Sequence, residues 1–221
     1  NLTNQTENKI EVKNVEFKIF EKFPYSSVSI SNLYIKESEK FEGDTLLYAK
    51  KANVKFSIVK FLLNQITIDN ISIINGKVSL KIDTNNNKNY NVLLKSDKKN
   101  KALELNKIEL INTKFEFESS KIQSKISLNC SKISIIVKNK KSFNLQINGK
   151  AYSQEITVYE KNYIENKNLK LNLNYSLIDR KSILKSSVLQ IENLDFLLDG
   201  SIDSKNVIKL DFTANKHSIS S

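Results

Sequence analysis

Apolar and polar positions along the chain fall into one recurring phrase of eight: apolar, polar, apolar, two polar, apolar, polar, apolar. It occurs as IEVKNVEF from Ile10, VSISNLYI from Val28, ITIDNISI from Ile66, LELNKIEL from Leu103, LNCSKISI from Leu128 and LQIENLDF from Leu189. Alternation predicts a strand with one apolar face, because successive side chains point to opposite sides. The doubled polar pair throws that alternation out by one residue. A β-bulge restores it by setting two residues against one on the neighbouring strand. The competing explanation is a two-residue turn, which Ser131-Lys132 and Asn106-Lys107 suit poorly. The copies are irregularly spaced, so they do not form a fixed-period solenoid.

The stretch from Ile66 to Asp83, ITIDNISIINGKVSLKID, combines this phrase with Asn75-Gly76. Asn-Gly is a strong signal for a type I′ hairpin turn, which needs φ > 0 at both central residues. The expected hairpin sets Ile73 opposite Val78 and Ile71 opposite Leu80. A bulge at Asp69-Asn70 then brings Ile68 opposite Ile82 and keeps every apolar side chain on one face.

The remaining pattern predicts strands over 10–20, 27–37, 45–57, 90–94, 102–118, 121–137, 143–151, 154–160, 167–178, 183–198 and 200–214. Pro24 marks the first turn, and Asn148-Gly149 and Asp199-Gly200 mark others. Ile58, Phe61 and Leu62 share a helical face, so a short helix is expected over 57–64, capped by Ser57 and docked on the sheet to close one end. About a dozen strands on short connections imply an all-β fold, an antiparallel meander with one helix. Residues 1–9 form a polar lead-in. The polar stretch 95–101 is the one candidate boundary, so 1–221 is expected to be a single domain, a fragment of a longer protein.

Composition narrows the function classes. The 221 residues carry a net charge of +11, four Gly, one Pro, one Cys and one His. Lysines alternate with apolar residues and are read as a solvated outer face that blunts strand edges, with a weak, salt-sensitive pull toward anionic membranes. Nucleic acid is not an expected partner, because Phe17, Phe56, Phe115, Phe117 and Phe196 lie on the apolar side rather than among the lysines. No HExxH, CxxC, GxSxG or P-loop pattern occurs. One His builds neither a triad nor a metal site, so no catalytic residue, metal or cofactor is expected. Cys130, at an apolar slot, is read as a small buried side chain.

Long bulged strands with one apolar face suit a sheet curled into an open trough, in which aliphatic side chains line the concave side. The expected lining is Val15, Phe17, Val28, Ile30, Val54, Phe56, Ile66, Ile68, Ile71, Ile73, Val78, Leu80, Leu105, Ile108, Phe115, Ile191, Leu194 and Phe196. Such a surface fits alkyl chains and offers no chemistry. A non-catalytic structural or protein-binding module with a closed core is the alternative.

Two segments carry a family resemblance: NKIEVKNVEFKIFEKFPYSSVSISNLYIKES, and GDTLLYAKKANVKFSIVKFLLNQITIDNISIINGKVSLKIDTNNNKNYNVL. In order they give a strand, a Phe-Pro turn, an SVSISN strand, GDTLL, a short helix and an Asn-Tyr-Asn stretch. This resembles the N-terminal region of AsmA-like proteins, particularly those of Bacteroidetes, and the segment from ALELNKIELINTKFEF onward fits the strands that follow. The resemblance implies a β-taco with a hydrophobic groove, related to repeating-β-groove, bridge-like lipid-transfer proteins. It implies phospholipid acyl chains as the partner and transport between inner and outer membranes. It also implies a periplasmic location with an inner-membrane anchor that this chain lacks, and outer-membrane or other envelope proteins as further partners.

Overall fold

The computed structural model describes residues 10–37, 41, 44–63, 65, 67–90, 104–139, 143–179, 181–202 and 208–216. In chain order these form β1 (Ile10–Glu11), β2 (Asn14–Lys22), β3 (Tyr25–Lys36), β4 (Thr45–Ser57), α1 (Ile58–Leu62), β5 (Thr67–Ile82), β6 (Glu104–Leu105), β7 (Lys107–Ser119), β8 (Ser124–Asn139), β9 (Asn144–Val158), β10 (Lys161–Ile178), β11 (Lys181–Ile191), β12 (Leu194–Ile202) and β13 (Ile208–Lys216). All thirteen strands belong to one open sheet, ordered β1-β3-β4-β5-β7-β8-β9-β10-β11-β12-β13, with β2 beside β3 and β6 beside β5. Packing runs between ladder neighbours, and among the described residues no second layer stacks on either face.

The all-β architecture with one short helix is as the pattern predicts, but the meander is interrupted once. β5 pairs with β6 and β7 in parallel. The residues just after β5 are tied back onto it. Asn89, buried, accepts from Lys81 N at 2.8 Å and donates to Ser79 O at 2.9 Å and to Glu37 Oε1 at 2.8 Å. The Lys81 ammonium sits 3.0 Å from the same carboxylate.

Two of the six doubled polar pairs are one-residue bulges in the ladders, and a third is a turn. Asp69 is the extra residue on β5, since Lys55 pairs with Asn70 and Phe56 with Ile68. Ser131 is the extra residue between Cys130 and Lys132. In the last copy Ile191 pairs with Leu194, so Glu192-Asn193 is a hairpin turn and not a bulge.

The Asn-Gly signals resolve differently from expectation. Asn75-Gly76 lies inside a 16-residue strand, so Ile71, Ile73, Val78 and Leu80 are not cross-strand partners within a hairpin. Asn75 does adopt the left-handed region (φ 51), but a β4 strand on one side and β7 on the other keep the chain running straight through. Gly76 serves close approach: a Cβ there would lie 2.2 Å from the Tyr48 carbonyl oxygen. Asn148-Gly149 and Asp199-Gly200 likewise sit within β9 and β12. The expected strands 143–151 and 154–160 are one strand, and the turn falls at Tyr159 and Glu160, both left-handed. The expected strand over 90–94 falls mainly outside the described residues.

α1 forms with Ser57 as its N-cap, the hydroxyl accepting from Lys60 N at 3.4 Å. It does not dock on the sheet as expected. None of its residues is buried, because five residues make too short a cylinder to reach back over the strands.

Candidate functional site

Cross-strand partners share a face, so the ladder registers trace rows of side chains running across the sheet. One row starts at Val15 and passes through Ile30, Ala52, Ile73, Leu110 and Ile133. It continues through Gly149, Leu171, Leu189, Phe196 and Ala214. A second, parallel row runs Phe17, Val28, Val54, Ile71, Ile108, Ile135, Ile147 and Leu173. Neither row contains a charged or hydrogen-bonding side chain. At about 4.8 Å per strand, the longer one extends roughly 48 Å.

A line of backbone irregularities runs beside these rows. Asn32, Asn75 and Asn112 are left-handed, with φ of 50, 51 and 46. They stand level with Lys50 on β4 and Ser131 on β8, between the ladder pairs on either side. Each strand therefore slips by one residue at the same height. That keeps the next bank of apolar residues on the same face: Leu47, Val78, Phe115 and Leu128, joined in one row. Bulges bend strands, and five aligned bends crease the sheet along a line crossing its strands.

The crease is where burial is deepest, although among the described residues no second layer covers it. Ala49, Ala52, Ile73, Leu110, Cys130, Ile133 and Ala151 form the core cluster, and half-buried residues of both banks pack against it, Ile71, Ile108 and Ile147 from one and Val78, Phe115 and Leu128 from the other. Many of the side chains nearest the crease are small, which lets the banks approach. The apolar face is thus the inside of a trough whose axis follows the rows. Burial falls away toward the ends, where Phe17 is 68% and Leu194 45% exposed.

Of the expected lining residues, Val15, Ile30, Ile73 and Phe196 lie in the first row, and Phe17, Val28, Val54, Ile71 and Ile108 in the second. Val78 and Phe115 belong to the opposite bank, where Leu80 pairs with Phe117. Phe56, Ile68 and Leu105 form a short row at one rim, and Ile191 and Leu194 a pair at the other. Ile66 lies outside the described residues. Leu110, Ile133 and Ile135 were missing from the expected lining although they sit at apolar slots of the recurring phrase. Ile147, Leu171 and Leu173 sit on strands without the phrase, and only simple alternation marks them.

The opposite face is polar and laced with ion pairs. Lys107 and Glu109 meet at 2.8 Å, and Glu116 is shared by Lys77 at 2.8 Å and Lys114 at 2.7 Å. The Lys107 ammonium, helped by the Asn70 amide against the opposing effect of burial, holds the Glu109 carboxyl below its ordinary value of 4.5. At Glu116 burial pushes upward, and hydrogen bonds from Lys114 and Lys77 outweigh it, again lowering the carboxyl.

Among the described residues, the one titrating group inside the trough near the crease is the Cys130 thiol, pushed up to about 11 by burial, which suits a packing role and not a nucleophile. Among the described residues no cluster of His, Cys, Asp or Glu has the makings of a metal site. No described helix is long and apolar enough to cross a membrane. No family model, curated protein or solved structure matches the chain.

Proposed function

We propose that the trough is a path for phospholipid acyl chains. On this reading the chain is a lipid-binding and transfer module of the bacterial envelope, working between inner and outer membranes like the AsmA-like proteins it resembles. It acts in the periplasm, is held to the inner membrane by an anchor of the kind such proteins carry, and does no covalent chemistry. The observation that supports the reading is the pair of uninterrupted apolar rows, with no second layer stacked on them among the described residues.

The energetics suit carriage. Each acyl CH₂ moved into water costs about 0.8 kcal/mol, so a chain of about 16 carbons faces roughly 12 kcal/mol. An aliphatic floor offsets most of that cost at every point along the path. Because the lining is uniform, no position holds the chain much more tightly than the next, and lipid can slide.

Ile71→Asp tests this. Ile71 is half-buried in the middle of the second row. A carboxylate in an open trough reaches water when lipid is absent, so the variant should keep its fold with melting lowered by a few degrees. Its co-purifying phospholipid, measured by mass spectrometry, should drop several-fold. Outright unfolding would point to a sealed core, and undiminished lipid would place the path elsewhere.

A further inference from the structure

The sheet carries a second apolar surface, outside the trough. α1 and the Phe23-Pro24 turn stand side by side at one rim, joined by a hydrogen bond from Ile58 N to Pro24 O at 3.0 Å. Together they expose Phe23 (68%), Phe61 (57%) and Leu62 (76%), with Val59 and Leu63 also open. The helix has no polar cover on this side, and burying it in the sheet is not what keeps it there. Phe61 leans edge-on against Phe56, ring centroids 6.3 Å apart, and Phe56 is the rim residue of the trough. The exposed cluster and the trough floor are therefore continuous.

The chemistry beside the cluster is basic. On the polar face next to the turn is a hollow of about 370 Å³ lined by Lys18, Lys51 and Lys55 together with Tyr25, Ser27 and Asn53. Among the described residues, no carboxylate lines it. Lys55 Nζ lies 4.2 Å above the Tyr25 ring, which ties the hollow to the Phe23-Pro24 turn. Lys60 adds a further cation on the helix itself. Exposed aromatic and aliphatic side chains rimmed by lysines match a membrane interface, where apolar groups enter the acyl boundary and cations meet anionic headgroups.

We propose that α1, the Phe23-Pro24 turn and the lysine-lined hollow form a docking surface for an anionic lipid bilayer at this rim of the trough. Phe23, Phe61 and Leu62 enter the acyl boundary, while Lys51 and Lys55 hold headgroup phosphates. As an entry point for lipid the surface rests on the transfer reading above; as a membrane-binding surface it stands without it.

The chain contains no Trp, so Phe61→Trp makes a single-tryptophan reporter, and Tyr163→Trp, exposed on β10, makes a control. Both are titrated with phosphatidylcholine vesicles with and without phosphatidylglycerol. The expected result is a blue-shifted emission for Phe61→Trp with the anionic vesicles only, reversed by salt, and none for the control. In the Phe61→Trp background, Leu62→Ser and the Lys51→Glu/Lys55→Glu pair should each weaken vesicle binding about tenfold. Leu62 is so exposed that its replacement leaves the fold intact even if the lysine pair does not. Equal shifts for reporter and control, equal response to neutral and anionic vesicles, or binding unaffected by Leu62→Ser would overturn the proposal, as would capture by a soluble protein without any vesicle response. Ile71→Asp combined with the reporter separates the two claims: it should lower co-purifying phospholipid several-fold and leave docking unchanged.

Discussion

Single residues decide how close the strands come and which charges they carry. Gly76 faces the Tyr48 carbonyl, and a methyl group there would need the β4 backbone to move. Gly76→Ala should therefore destabilise by about 1–3 kcal/mol in urea unfolding, a loss by overpacking and not by lost contacts. The Asn-Gly pair was legible as a place of unusual backbone, and Asn75 does take the left-handed region. Its consequence was not legible, because a turn and a mid-strand bulge use the same local conformation and differ only in what lies alongside. Glu109 and Glu116 give a pH dependence whose sign follows from their lowered carboxyls. A depressed carboxyl contributes stability that is present above its ordinary value and lost as pH falls through its folded value. Unfolding free energy should decline as pH falls below the ordinary carboxyl value of 4.5, and Glu109→Gln should flatten part of that decline.

At the scale of elements, the doubled polar pairs carried the most information. They told of bulges at Asp69-Asn70 and Ser131-Lys132, which the ladders contain, because a strand that runs on past an extra residue keeps one apolar face by bulging. Glu192-Asn193 reads the same in sequence yet turns the chain, since β12 returns along β11 there. The parallel pairing of β5 with β7 had no local signature at all: alternation fixes which side of a strand is apolar and says nothing of its direction. The aligned left-handed asparagines make a further prediction. Valine in that region costs about 1–2 kcal/mol, while glycine occupies it freely. Asn75→Val and Asn112→Val should each lower stability by about that amount, and the matching Gly variants should stay near wild type, as read by thermal melting. Equal losses for Val and Gly would mean that the side-chain amides, and not the backbone bends, hold the crease.

For the whole molecule, the crease turns a two-faced sheet into a trough. The irregularities at Asn32, Lys50, Asn75, Asn112 and Ser131 fall on one line across neighbouring strands, only the first and last of them at a doubled polar pair, and that line sets the axis along which apolar rows run. The lining was legible on strands carrying the phrase and less so on β9 and β10, where Ile147 and Leu171 follow plain alternation. The helix shows the limit of periodicity: it marked α1 correctly, but its apolar side chains stay outside the sheet. The central claim is that acyl chains lie on the inner face. Placing a photo-crosslinking phenylalanine analogue at Ile108 or Ile135, and in parallel at Lys132 or Ser134 on the other face, tests it directly in protein purified from cells after irradiation. Phospholipid adducts found by mass spectrometry at Ile108 and Ile135, and not at Lys132 or Ser134, are the predicted result. Adducts confined to the polar face, or adducts to protein at the trough positions with no lipid, would contradict it.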